Sequence, residues 1–325
     1  MPKKAHIGMS ITKRLSLGVL CSLVVCLSCT VSCVHKTAEE KAQAAMDKNG
    51  GMVVTLAASQ PELTDSVKIL LDARLIRYGL KNTFVSLTDE GLIEAQIPGV
   101  SDVIDAEEAE LVRQLLQAPG ELEIWETYTL AELFPMLTEL NSTDSIFNII
   151  APYVSDEGVP ARGPIVGMVH LTDKDAAIEL LSSPAAQAVL PADVLFRWSK
   201  AVVNYEYGEL IALKARDGKS AFTGECLSEV ESLQTKDCPY PNISMVMTDA
   251  DTWERFTGEN IDRSIAFVVD DVVYSFPTVV SAIPGGKSQI SGSMTYEEAA
   301  AAAAIMKYPL PCEVKIVGEN RVNTK

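Results

Sequence analysis

The chain has 325 residues, 47% of them hydrophobic, with 44 acidic against 27 basic side chains. That is enough length and apolar content for about two domains with sizeable cores. Residues 1–36 hold five of the bases (Lys3, Lys4, Lys13, Arg14, Lys36) and no acid, so the remainder sets 22 bases against 44 acids, a field that repels phosphate backbones and argues against nucleic-acid binding.

Lys3, Lys4, Lys13 and Arg14 precede the apolar run from Leu15 to Ser28, the charged start and apolar middle of an export signal. Four of the seven cysteines lie at or near its end (Cys21, Cys26, Cys29, Cys33), and the polar stretch 34–48 reads as a tether. Three fates of the leader 1–33 stay open. Thr30-Val31-Ser32-Cys33 loosely resembles a lipoprotein cleavage site, with Cys33 as lipid acceptor and Cys29 as competitor. The signal is otherwise cut without lipidation, or Leu15–Val34, which just reaches the ~20 residues that span a bilayer, stays as an anchor helix. Each places the rest of the chain in the bacterial cell envelope, facing the periplasm, with membrane attachment in the lipid and anchor cases.

Residues 49–128 repeat an order. Met52–Ala57 is a β run, Thr64–Tyr78 has Val67, Leu70, Leu71 and Leu75 at helical spacing and stops at Gly79, and Thr83–Leu87 is strand-like. Asp89-Glu90-Gly91 then turns into the strand Leu92–Ile97, Asp105–Leu116 is a helix stopped by Pro119-Gly120, and Glu121–Thr127 alternates as a strand. The sum is β-α-β-β-α-β, a ferredoxin-like base subdomain, and the fold class is α+β.

Further on, Leu130–Leu140, Asp144–Ile150 and Asp173–Leu181 read as helices, and Pro164–Leu171, Val194–Ser199 and Glu209–Ala215 as strands. Thr223–Leu233 reads as a short helix before the strand Ile243–Thr248 and the helix Asp249–Glu259. The stretch Phe256–Leu310 carries the densest local signals. Ser264–Val269, the turn Asp270-Asp271 and Val272–Phe276 form a hairpin, because aspartate tolerates positive φ. Pro284-Gly285-Gly286 separates Thr278–Ile283 from Ser288–Gly292, and Thr295-x-x-Glu298 is a capping box opening an alanine-rich surface helix.

The chemistry-bearing residues do not assemble a catalytic pattern. His170 sits in an alternating strand without companion zinc ligands, no G-x-S-x-G elbow is present, and Gly285-Gly286-Lys287-Ser288 lacks the leading glycine of a phosphate loop. The expectation is a protein that is not an enzyme and needs no cofactor or metal. Of Cys226, Cys238 and Cys312, an odd count, Cys226 and Cys238 are the pair that a disulfide would close around a proline-containing turn.

The ordered set FTGEN (256–260), SIAFVVDDVVYSFP (264–277), IPGG (283–286), QISG (289–292), TYEEA (295–299) and LP (310–311) resembles the head subdomain of the first periplasmic domain of SecD or SecDF, the membrane protein that assists preprotein export through the Sec translocon. Gly50–Leu56 is similar to the strand that opens that region, and Ile97-Pro98-Gly99-Val100 to its turn. The resemblance implies a base at 49–128, a head at 129–318 (129–242 divergent, 243–318 best matching) and a tail at 319–325. It implies a head inserted in the base, so that Cys312–Val317 returns as a strand near it, and a hinge where the chain leaves the base, at Thr127, Tyr128, Thr129, Leu130 and Ala131. The partners it implies are unfolded or exported polypeptide and Sec translocon subunits. Phe256, Tyr274 and Phe276 are the candidates for contacting polypeptide, with core packing as the alternative for each. From Thr37 on, no apolar run is long enough for the later membrane helices of full-length SecD, so the chain reads as a stand-alone periplasmic region, either assisting export or serving as a structural or interaction module.

Overall fold

The polar stretch ahead of the first strand is a helix. The computed structural model describes residues 36–324 apart from 102, 236–237 and 293, so Cys29, Cys33 and the leader lie outside the described residues. Within it α1 (Ala38–Asn49) replaces the expected tether, because its Ala, Glu, Gln and Lys are good helix formers and Ala42 and Met46, four apart, are buried. Then follow β1 (Gly51–Ala58), α2 (Thr64–Tyr78), β2 (Phe84–Leu87), β3 (Ile93–Pro98) and α3 (Ala106–Gln117), as the periodicity predicts. Gly79, at φ +112°, terminates α2, and the Asp105 side chain caps α3 by accepting from the Glu108 N–H.

The chain continues with β4 (Leu122–Thr127), α4 (Leu130–Asp144), β5 (Ala151–Pro152), β6 (Ile165–His170), α5 (Lys174–Leu181), α6 (Pro184–Val189), β7 (Val194–Val203), β8 (Tyr207–Lys214), β9 (Phe222–Thr223), β10 (Leu227–Thr235), β11 (Cys238–Met247), α7 (Ala250–Glu259), β12 (Ile265–Val269), β13 (Val272–Ser275), β14 (Lys287–Ser291) and α8 (Tyr296–Lys307); these elements are called the head and those before them the base. The chain ends in β15 (Val314–Val322). The strands form a mixed but mainly antiparallel α+β structure.

Two strands are placed differently from the sequence reading. Leu122–Thr127 does not close the base; β4 pairs antiparallel with β12 in the head. The fourth place in the base sheet goes to β15, which runs antiparallel along β1 from Ala58↔Val314 to Gly51↔Val322 and gives the order β15-β1-β3-β2. The return of the chain expected at Cys312–Val317 is therefore present, and residues 319–322 of the supposed tail are part of it. Alternation identifies a strand but not its partner: Leu122 and Ile124 face one core and Trp125 another, as suits a strand buried on both sides.

Eight strands form the main head sheet in the order β5-β6-β8-β7-β13-β12-β4-β9, and an added β8–β4 pairing closes β4, β8, β7, β13 and β12 into a ring. Trp125, Ile211, Leu213, Ala266, Val268 and Val273 pack together on one side of these strands. The alternate residues Ile265, Phe267 and Val269 pack with the three-stranded sheet β10-β11-β14 and with α8, and Leu210 and Ala212 pack under α4, α5 and α6.

Three further expectations change. Thr223–Leu233 is strand β10 after a single helical turn, because it pairs with β11. Thr278–Ile283 makes only isolated bridges, Ser264↔Thr278 and Ile261↔Val279, and β14 pairs with β11 instead of with that segment. Cys226 lies beside Thr248 at one end of the β10–β11 hairpin, while the Cys238 position pairs in register with Thr235 at the other end, about 30 Å along the strand at ~3.3 Å per residue, and Cys226 is free.

The alanine-rich helix is also not a surface element. Every residue from Ala299 to Met306 is buried: Ala299, Ala302 and Ala303 face the head core, while Ala301, Ala304 and Ile305 pack on Leu115 of the base helix α3. The Thr295–Glu298 capping box is formed as expected.

Candidate functional site

The three aromatics proposed for polypeptide contact serve the head core. Phe256 packs edge-on against Phe222 at 5.1 Å and beside Trp253 at 5.8 Å. Tyr274 leans on the same core with the Lys200 ammonium 4.9 Å from its ring, and Phe276 packs against the ring of strands. Burial foremost, with Asp270 and Glu298 adding to it, pushes the Tyr274 hydroxyl up to about 12.

What the head offers instead is a groove of about 500 Å³ next to these residues. Ile265 and Phe267 of β12 form its floor, the segment Pro277–Ser281 with Ile283 forms one wall, and Lys287, Ser288 and Gln289 of β14 form the other. β14 is an edge strand, paired with β11 on one side, and its far end is tied to β13 where the Ser275 hydroxyl donates to the Ser291 carbonyl at 3.0 Å. Along Lys287–Gln289 the edge borders the groove. Val280 stands at the lip, 85% exposed, and Val279 beneath it is buried. The sequence carried the signal in Val279-Val280, an apolar pair after Pro277, but placed it in a strand.

The second distinctive place is the crossing between base and head. Arg74 projects from α2 on the face shared by Leu71 and Leu75 and is fully buried. Its guanidinium donates to the carbonyls of Tyr308 (2.7 Å), Leu115 (3.0 Å), Ala118 (2.7 Å), Pro119 (3.0 Å) and Ile305 (3.4 Å). Burial brings its pKa down to about 10 against the opposing pull of Asp270. The crossing segment ahead of β4 is held by Asp270 as well: its Oδ1 accepts from the N–H groups of Gly120 and Glu121, both at 2.8 Å, and burial raises its carboxyl above the ordinary value against those bonds. Gly120 has φ +85°, and a Cβ there would lie 2.5 Å from the Ile305 carbonyl oxygen, so only glycine fits. The returning chain bonds the outgoing one through Leu310 N–H to the Pro119 carbonyl at 2.8 Å.

The five residues expected as a hinge lie past the crossing segment, on β4 and the start of α4. Thr127 donates to the Ser264 carbonyl at 2.7 Å, Tyr128 donates its hydroxyl to Asp193 at 2.5 Å, Thr129 caps α4, and Leu130 is buried; Ala131 is exposed in the first turn of α4. The crossing is at Ala118–Glu121 and Tyr308–Glu313. Sequence reasoning missed Arg74, although its spacing from Leu71 and Leu75 put a cation on an apolar helix face. His170 ends β6 with Nδ1 2.7 Å from Thr172 Oγ1 and its ring edge-on to Tyr207. Among the described residues no cluster of metal-ligating side chains and no helix long and apolar enough to cross a membrane is present.

Comparison with known proteins bears on residues 201–309, which match the family model described as SecDF, P1 head subdomain. Protein translocase subunit SecD of Rhodothermus marinus is 28% identical over 293 residues, covering 79% of this chain and 46% of its own. The same subunit of Calditerrivibrio nitroreducens is 41% identical over 106 residues, covering 31% of this chain and 20% of its own. The chain thus spans less than two thirds of the length of these curated relatives. Among solved structures, SecDF in its super-membrane-facing form covers 85% of this chain at 19% identity and a TM-score of 0.47. A second, of a membrane component SecDF that enhances protein export, covers 82% at 18% identity with a TM-score of 0.44. The resemblance to the periplasmic region of SecD and SecDF stands, over most of the chain and most closely in the head.

Proposed function

We propose that this chain is a SecD-like envelope module that assists protein export without catalysing a reaction, by holding an extended stretch of polypeptide in the head groove and docking on translocon subunits. The observation that carries this reading is the groove beside β14, where an apolar floor of Ile265 and Phe267 adjoins an edge strand within the residues that match the SecDF P1 head. Apolar side chains of a guest fill the floor while its backbone adds to the edge, the mode by which sheet edges take peptides. Attachment to the membrane is through the N-terminus, by a lipid on Cys33 with Cys29 as competitor, or by an uncleaved anchor.

In-cell photo-crosslinking from a benzophenone residue at Val280, with the half-buried Phe276, packed against the ring of strands, as the control, tests the reading. Adducts to many exported precursors or to translocon subunits from position 280, absent from 276, support it; adducts no richer than the control overturn it. A scaffold role without polypeptide binding is the second reading, favoured by the packing of Phe256, Tyr274 and Phe276 into the core. Under it, position 280 yields a single envelope partner.

A further inference from the structure

A second groove lies in the part of the head that precedes the family match. It measures about 520 Å³ and runs between helices α5 and α6 and the first half of β7, lined by Ile178, Leu181, Leu190, Val194, Phe196 and Arg197. Its floor is a strand with one side open. β7 pairs with β8 from Val194↔Lys214 through Trp198↔Leu210, but its other neighbour, β13, reaches it only at Trp198 and Ser199. Among the described strands, none lies beside Val194–Arg197 on that side. The open stretch ends where Arg197 ion-pairs with Asp271 of the β12–β13 turn at 2.9 Å and donates a second bond to the Phe196 carbonyl at 3.1 Å. An arginine laid over an open edge is a usual guard against indiscriminate strand pairing.

We propose that this groove is a second peptide site, which takes three or four residues of an extended apolar polypeptide, added in line with β13 against the open edge of β7. The chemistry of the groove selects that occupant. Ile178, Leu181 and Leu190 supply an apolar wall for side chains, and a strand edge offers backbone groups that only another extended backbone matches in register. The four residues Val194–Arg197 extend over ~13 Å, which sets the length of the guest. Arg197 is the one charged side chain lining the groove and is held by Asp271, so the site discriminates by apolarity and extension rather than by charge. The inference shares its class of occupant with the reading above but not its site, so each fails independently.

The test uses the purified mature chain and a fluorescein-labelled octapeptide of alternating isoleucine and threonine, read by fluorescence anisotropy. A second peptide has the same sequence with alternate amides N-methylated, which preserves apolarity and removes strand pairing. Ala192 and Ser182 line the groove and are exposed, so Ala192→Glu and Ser182→Glu put a charge into it without touching the core. The expected result, read in a Val280→Glu background so that the other groove does not contribute, is binding of the first peptide that weakens tenfold or more in both variants and for the N-methylated peptide. Equal binding of the two peptides means apolar capture only and overturns the proposal. So does insensitivity to both variants, absence of binding at millimolar peptide, or loss through Val280→Glu alone, the last of which leaves the head groove as the peptide site.

Discussion

Arg74 shows how one residue of α2 ties together α3, the segment after it and α8. A fully buried guanidinium is costly to desolvate, and here five backbone carbonyls from α3, the crossing segment Ala118–Pro119, and α8 with its C-cap Tyr308 compensate it. Substituting Arg74→Met leaves those carbonyls without their donor, and we expect a loss of about 2–4 kcal/mol in urea unfolding. Arg74→Lys, which keeps the charge and loses the fork, is expected to recover only part of that. Tyr274 carries a pH signature. Its folded pKa is raised to about 12 from 10.0, so its contribution to stability is fully present below pH 10 and is lost as pH rises from about 10 through about 12. Comparing unfolding of the native protein and Tyr274→Phe across that window isolates the effect, expected at about 2 kcal/mol in favour of the variant at the alkaline end. A difference that is flat with pH refutes it.

At the scale of elements, α8 is the shared partner of both halves. Its alanines let the helix approach the head core on one face and α3 on the other, a closeness that larger side chains forbid. Ala304→Leu, at a position with no exposure, is expected to destabilise the protein by about 1–3 kcal/mol through overpacking, while Tyr296→Ala, exposed on the first turn, changes stability by less than about 0.5 kcal/mol. Thr295→Ala removes the cap of the same helix and is expected to cost about 1 kcal/mol, read as a lower urea midpoint with an unchanged slope. The capping box and the turn at Asp270-Asp271, with φ of +50° and +65°, were legible in the sequence because both are local: the residues that form them are within four positions of one another.

At the scale of the whole molecule, the base is closed by the last strand of the chain. Removing residues 313–325 strips β1 of its partner from Gly51 to Ala58. Hydrogen exchange of β1 amides is then expected to accelerate by orders of magnitude, far beyond what loss of an unstructured tail produces; unchanged protection in β1 contradicts the assignment of β15 to the base. The crossing is held by Arg74 on one side and by Asp270 on the other.

The sequence by itself determined the local frame: the helices of the base, the hairpin at Asp270-Asp271, the alanine helix with its cap, and the resemblance to the SecD periplasmic region. Each rests on spacing or on turn chemistry between near neighbours. Only the tertiary structure decided which strand pairs with which, so that Leu122–Thr127 went to the head and Val314–Val322 to the base. It also packed Phe256, Tyr274 and Phe276 partly buried against the core, put Val280 and the β14 edge beside a groove, and set Arg74 among carbonyls. The physical reason is that alternation and helical periodicity report how much of a segment is buried, whereas the identity of what buries it is set by contacts between residues far apart in the chain.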